Sequence, residues 1–214
     1  MFRKSLYAVL IAACGTATAG PITFSEGFDD VSALAASGWL TSNYSTAGGT
    51  TGWFQGNTGI FTSDSGADNS YIAANFEGAP FGGNIDNWLI TPLFSVADSS
   101  TITFATRASG ALPDTLEVLY SLGGSNTGDF MSIGSLAGAG FPIDWANINL
   151  VAFGLQQDIR LAFRYLVTDT SVNGDYIGID SFEVRAVPEP GTIALFGAAL
   201  LMMAFAMRRR RDQI

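Results

Sequence analysis

The chain has 214 residues, 48% of them hydrophobic, with 25 glycines, no histidine and a formal charge of −9. Its one lysine, Lys4, and one cysteine, Cys14, both lie in an N-terminal stretch with the marks of a removable leader. The remainder therefore excludes Ser–His–Asp and Cys–His nucleophiles, His- or thiolate-ligated zinc, Schiff-base lysines and phosphate-loop lysines.

Residues 1–19 read as a secretory signal. Arg3 and Lys4 supply the positive start, Leu6 to Ala13 a short apolar stretch, and Ala17-Thr18-Ala19 a small-x-small cleavage site. Cleavage between Ala19 and Gly20 is the preferred reading. The competing one takes Ile11-Ala12-Ala13-Cys14 as a lipobox, with Cys14 acylated as the first mature residue.

Residues 20–186 hold 17 acidic residues and four arginines, a net charge of −13. Such a surface repels nucleic acid and anionic lipid and suits solubility outside the cell. Runs rich in Ile, Val, Thr, Phe and Tyr alternate with Gly, Asn, Asp and Ser clusters, which predicts an all-β domain. The expected strands are 22–28, 71–76, 88–93, 101–107, 115–121, 147–153, 159–168 and 176–185, with one helical turn or two over 30–37. In the seventh strand Ile159, Leu161, Phe163, Tyr165 and Val167 share one face, and Arg160, Ala162, Arg164 and Leu166 the other. Eight or more strands in a body this size predict a two-sheet β-sandwich or jelly roll.

Four strings sharpen that expectation: Phe24-Ser25-Glu26-Gly27-Phe28-Asp29 with Gly38-Trp39, Asp86 to Leu93, Ile159 to Tyr165, and Tyr176 to Val184. Together they resemble the choice-of-anchor J domain, a relative of the cleaved-adhesin and MAM-like jelly rolls, over residues 22–185. The resemblance implies a β-jelly roll on a bacterial surface or matrix protein, with no family-wide catalytic residues. In several carbohydrate-binding jelly rolls an acid near the first strand and one on the last hold a structural calcium. The resemblance places Glu26 and Asp180 at comparable points as candidate ligands; the alternative is that Asp180 is a plain exposed edge acid. Asp180 independently interrupts an apolar pattern: Ile177 and Ile179 face one way, Phe182 and Val184 the other, which marks a bulge or a buried ligand.

Two further constellations bear on chemistry. Trp53 and Phe54, in a Gly/Thr-rich loop, are the aromatics expected to be exposed and available to stack on a sugar. Asp169 to Asp175 spaces oxygen ligands like a calcium loop, with Gly174 at the sixth position, but Asn173-Gly174 between two strands equally signals a type I′ hairpin. The hairpin is the preferred reading. Paired carboxylates for glycoside hydrolysis are not nominated by any string, so no enzyme is expected.

The C-terminus has three parts. Val187-Pro188-Glu189-Pro190 cannot be helical, because its two prolines fix φ and remove backbone donors. Residues 192–207 are uncharged and apolar, a helix of about 24–26 Å against a bilayer core of about 30 Å. Arg208, Arg209, Arg210 and Arg211 follow and hold that end in the cytoplasm. Residues 187–211 resemble the PEP-CTERM sorting signal. That resemblance implies a Gram-negative, exopolysaccharide-producing host, a transient inner-membrane stage, and processing by exosortase at the motif. The expected function is that of an exosortase-sorted surface or biofilm-matrix protein with a structural or adhesive role. The alternative is a calcium-dependent carbohydrate-binding module for exopolysaccharide, and last a carboxylate-based glycoside hydrolase.

Overall fold

The computed structural model describes residues 22–97, 100–110, 114–152 and 157–186, with Ala199 and Met203 beyond them. The expected leader with Cys14, Ala19 and Gly20, the Val187–Pro190 motif and the Arg208–Arg211 cluster lie outside the described residues. Of the expected apolar span only Ala199 and Met203 are described; among the described residues no helix is long and apolar enough to cross a membrane.

Pro21–Val187 is one unit of antiparallel strands. The strands are β1 (Ile22–Glu26), β2 (Leu40–Asn43), β3 (Phe54–Gln55), β4 (Ile72–Asn75), β5 (Ile85–Ile90) and β6 (Phe94–Val96), then β7 (Ser100–Ala108), β8 (Thr115–Ser121), β9 (Met131–Ala137), β10 (Ala146–Ala152), β11 (Gln157–Val167) and β12 (Tyr176–Arg185). One sheet runs β10-β7-β12-β4-β3, with β1 also on β12; the other runs β2-β5-β11-β8-β9, with β6 also on β11. The expected all-β sandwich is thus the fold. The helical turn expected over 30–37 is a short 3-10 helix, Val31–Ala33, whose N-cap Asp30 accepts the Ser32 N–H.

The core forms where the apolar faces of the two sheets meet. On β11 the face carrying Ile159, Leu161, Phe163, Tyr165 and Val167 is buried, as its period-two pattern predicts. Phe163 meets Phe104 of β7 edge-on at 4.9 Å and Phe182 of β12 at 5.9 Å, tying sheet to sheet. Each such buried ring contributes roughly 1.5–3 kcal/mol of transfer free energy. The opposite face of β11 carries Arg164, which pairs with Asp86 of β5 through two 2.7 Å hydrogen bonds and with Glu117 of β8 at 3.2 Å.

A second, smaller apolar cluster lies on the other side of the first sheet, where Phe61 from the loop after β3 packs on Tyr71 and Tyr176, with Phe54 and Trp145 against it. The Tyr71 hydroxyl accepts the Asn57 N–H and lies 2.9 Å from the Phe61 carbonyl and 3.1 Å from the Tyr176 hydroxyl, so it pins this loop.

The Asn173-Gly174 hairpin does not form. β11 and β12 belong to different sheets, so residues 168–175 cross between sheets rather than turning within one. Gly174 has φ +104, but Asn173 is not in the left-handed region that a type I′ turn needs at both central positions. Asp114, buried just before β8, organises this crossover by accepting the Gly174 and Asp175 N–H groups at 2.8 and 2.7 Å.

Candidate functional site

β12 is paired along one edge by two strands end to end: β1 against 182–185 and β4 against 176–179. Asp180 and Ser181 fall at the junction, where the register of β12 against β7 also shifts. This is the bulge that the reversed apolar phase predicts. It lets Ile177 and Ile179 and then Phe182 and Val184 all reach the same core, since one extra residue restores the facing.

The junction opens a cavity of about 330 Å³ whose wall includes Glu26, Asp29, Ser65, Asp180 and Ser181. Glu26 and Asp180, far apart in sequence, therefore face one space. Two non-glycine residues around it adopt the left-handed region, Phe28 at φ +54 and Ser181 at φ +53. Such conformers persist only when their surroundings hold them. Phe28 donates its N–H to Glu26 Oε1 at 2.9 Å, and Ser181 donates its own to Asp180 Oδ1 at 2.5 Å.

Asp180 is fully buried. Its Oδ2 also accepts the N–H groups of Asp64 and Ser65, at 2.8 and 3.0 Å. Burial pushes its carboxyl above the usual range, and these three N–H donors only partly offset that. The arrangement makes Asp180 an acceptor that fastens the 64–66 loop to the bulge. As a metal site the cavity is mixed. Its carboxylates and hydroxyls are the oxygen donors calcium takes. Yet among the described residues no three acids converge closely enough to hold an ion as placed.

The other expected ligands fall elsewhere. Trp53 is half-buried against the main core and Phe54 half-buried on Tyr176, at 5.8 Å edge-on, so neither is the exposed platform expected of that loop. Phe54 opens short β3 and Trp53 immediately precedes it, which holds both against the sheet. Phe54 nevertheless lines a surface cavity. In the 169–175 segment Asp169 accepts the N–H and hydroxyl of Ser171 at 2.8 and 2.6 Å, an Asx turn that holds its carboxyl below the usual range. The sequence reading missed Asp64, Ser65 and Asp114. Asp114 had one signal, an acid set directly against the Thr115 strand.

Comparison with known proteins places two parts of the chain. Residues 186–211 match the PEP-CTERM protein-sorting motif, as the proline pair, apolar run and arginine cluster imply. The sandwich is similar in fold to cleaved adhesin domains of Lys-gingipain from Porphyromonas gingivalis. The K1 domain has a TM-score of 0.55 and 22% identity, covering 77% of this chain and 98% of that one. The K3 domain has a TM-score of 0.55 and 20% identity, with 78% and 99% covered. No curated protein matches the chain.

Proposed function

We propose that this chain is exported, processed at its C-terminal motif by exosortase, and delivered to the surface of a Gram-negative cell as an adhesive or structural module. The observation that carries the reading is the order of parts: β12 ends at Arg185 and the sorting motif begins at residue 186. The sandwich is thus the cargo immediately ahead of the address. Pro188, Glu189 and Pro190 serve as recognition residues for the processing enzyme, and the arginines at 208–211 orient the transient span. A binding role suits this cargo better than a catalytic one, since two of the acids at the junction cavity, Glu26 and Asp180, are already engaged with backbone N–H donors.

The second reading, calcium-dependent binding of exopolysaccharide, is supported by Glu26 and Asp180 sharing the wall of one oxygen-rich cavity. Calcium there would clamp β1, the 64–66 loop and the β12 bulge, and so order the neighbouring loops.

One preparation tests both. Protein extracted from the surface of its native host should have an intact mass lacking the leader and residues 208–211; a mass that retains the four arginines refutes sorting. The same sample should bind the host's polysaccharide, with binding lost in chelator and restored by calcium. Binding indifferent to chelator removes calcium from the account, and no binding removes the second reading.

A further inference from the structure

Phe76 follows β4 at the start of a 3-10 turn, Phe76–Gly78, with half its surface exposed. Two cavities share Phe76 and Glu77 in their walls. One, of about 230 Å³, extends to Phe81 and Thr170; the other, of about 390 Å³, extends to Phe54, Asn57 and Asp175. The two adjoin at Phe76 and Glu77 and are taken together as one groove. It shares no residue with the cavity at Glu26 and Asp180.

Phe81 is 87% exposed, yet it does not sit on a loose loop. Gly83 donates its N–H to the Pro80 carbonyl at 2.8 Å, closing a turn around it. Thr170 ties that turn down from the 168–175 crossover: its hydroxyl donates to the Pro80 carbonyl at 2.6 Å and its N–H to the Gly83 carbonyl at 2.9 Å. Phe76 is held likewise, its N–H donating to the Asp175 carbonyl at 3.0 Å. Two apolar rings are therefore presented to solvent by fixed backbone, an arrangement that lowers the ordering cost of binding.

The polar groups beside the rings are also set in place. Asn75 accepts the Thr51 hydroxyl at 2.7 Å, and its Nδ2 donates to Glu77 at 3.3 Å. Ring faces for C–H surfaces, with carboxylate and amide oxygens to accept from hydroxyls, suit a chain of sugars. Neither cavity has a basic residue in its wall, and the body around them carries −13. An anionic glycan would meet repulsion without compensation.

We propose that this groove binds an uncharged polysaccharide laid across Phe76 and Phe81, with Glu77 and Asn75 bonding its hydroxyls. The proposal rests on the carbohydrate-binding reading above and assigns it a place. The test uses the full-length chain in mild detergent, run by affinity electrophoresis through gels of β-glucan, xyloglucan, galactan or mannan, with alginate as the anionic control. At least one neutral polymer should retard the wild type, and alginate should not. Phe76→Ala and Phe81→Ala should each weaken that retention about tenfold, the scale of truncating an aromatic anchor. Phe81→Ala should keep the wild-type melting temperature, its side chain being 87% exposed, and Phe76→Ala, half-exposed, should lower it only slightly. Retention by no polymer overturns the carbohydrate reading and the groove together. Retention that both phenylalanine variants keep in full overturns the groove alone. Stronger retention by alginate, or binding of a lysine-rich peptide in place of every polymer, overturns the ligand class.

Discussion

Gly178 shows how much a single position can hold in this molecule. It lies on β12 under the second apolar cluster, and a Cβ built there would stand 2.9 Å from Trp145 and 3.0 Å from both Phe61 and Tyr71. Those rings have little room to retreat. Trp145 donates its indole N–H to the Thr62 carbonyl at 2.8 Å, and Tyr71 is fixed through its hydroxyl. Gly178→Ala is therefore expected to destabilise the fold by about 1–3 kcal/mol, the usual cost of overpacking. Gly52→Ala, where nothing lies within 4 Å, should stay within about 0.5 kcal/mol. Urea denaturation of both variants checks the pair; equal midpoints would show that the loop yields freely. Gly178 could not be read from sequence, because its constraint comes from rings distant in the chain. Asp180 could, because the reversal of apolar phase around it is written in consecutive residues. Its backbone partners at 64 and 65 belong to a loop without periodicity, and nothing local announces them.

At the scale of elements, the strands that the sequence revealed are those with a buried face. β8 and β12 fall where alternation places them, and β1, β4, β5, β7, β10 and β11 within a few residues. The missed strands are short or lie at edges. β2, β3 and β6 have four, two and three residues, and β9 is exposed along almost its whole length, so alternation carries no signal there. The misread hairpin has the same origin: Asn-Gly is a local signal, whereas sheet membership is decided by pairing across the molecule. Arg164 illustrates pairing of that kind, spanning β5, β11 and β8 and lying 4.9 Å over the Trp88 ring. With its side chain 28% exposed, water screens part of the attraction. Arg164→Met should cost about 1–2 kcal/mol, chiefly by leaving Asp86 and Glu117 as adjacent unpaired acids. Adding Asp86→Asn and Glu117→Gln should recover more than half of the loss in urea midpoint. Arg164→Lys should fall between, having lost the paired hydrogen bonds but kept the charge. A triple variant no more stable than Arg164→Met would locate the cost in lost packing on Trp88 instead.

For the molecule as a whole, the missing residue types have a consequence beyond excluding enzymes. Without His, Cys or Lys in residues 20–186, tyrosine is the side chain left to titrate between neutrality and pH 12. Three tyrosines are buried at ties that hold separate parts together. Tyr71 and Tyr176 pin the loop after β3, and Tyr165 donates to Asp114 at 2.6 Å beneath the crossover between sheets. Burial raises all three above the ordinary value of 10, with the Asp114 charge adding to the shift at Tyr165 and the Tyr176 hydroxyl to that at Tyr71. For a phenol raised in the folded state, the stabilisation is complete below pH 10 and is lost as pH climbs through the folded value. There the unfolded chain sheds protons that the fold retains. Each such tyrosine lowers stability by about 1.4 kcal/mol per pH unit. The expected result is a flat stability profile from neutrality to about pH 10, then a steep fall in which loss of β circular dichroism coincides with the rise of tyrosinate absorbance. Tyr165→Phe should make that fall shallower, even though it weakens the protein at neutral pH by leaving the buried Asp114 without its hydroxyl donor. Ionisation of all the tyrosines while the β signal persists would mean that these phenols are not sealed by the core and its covering loop.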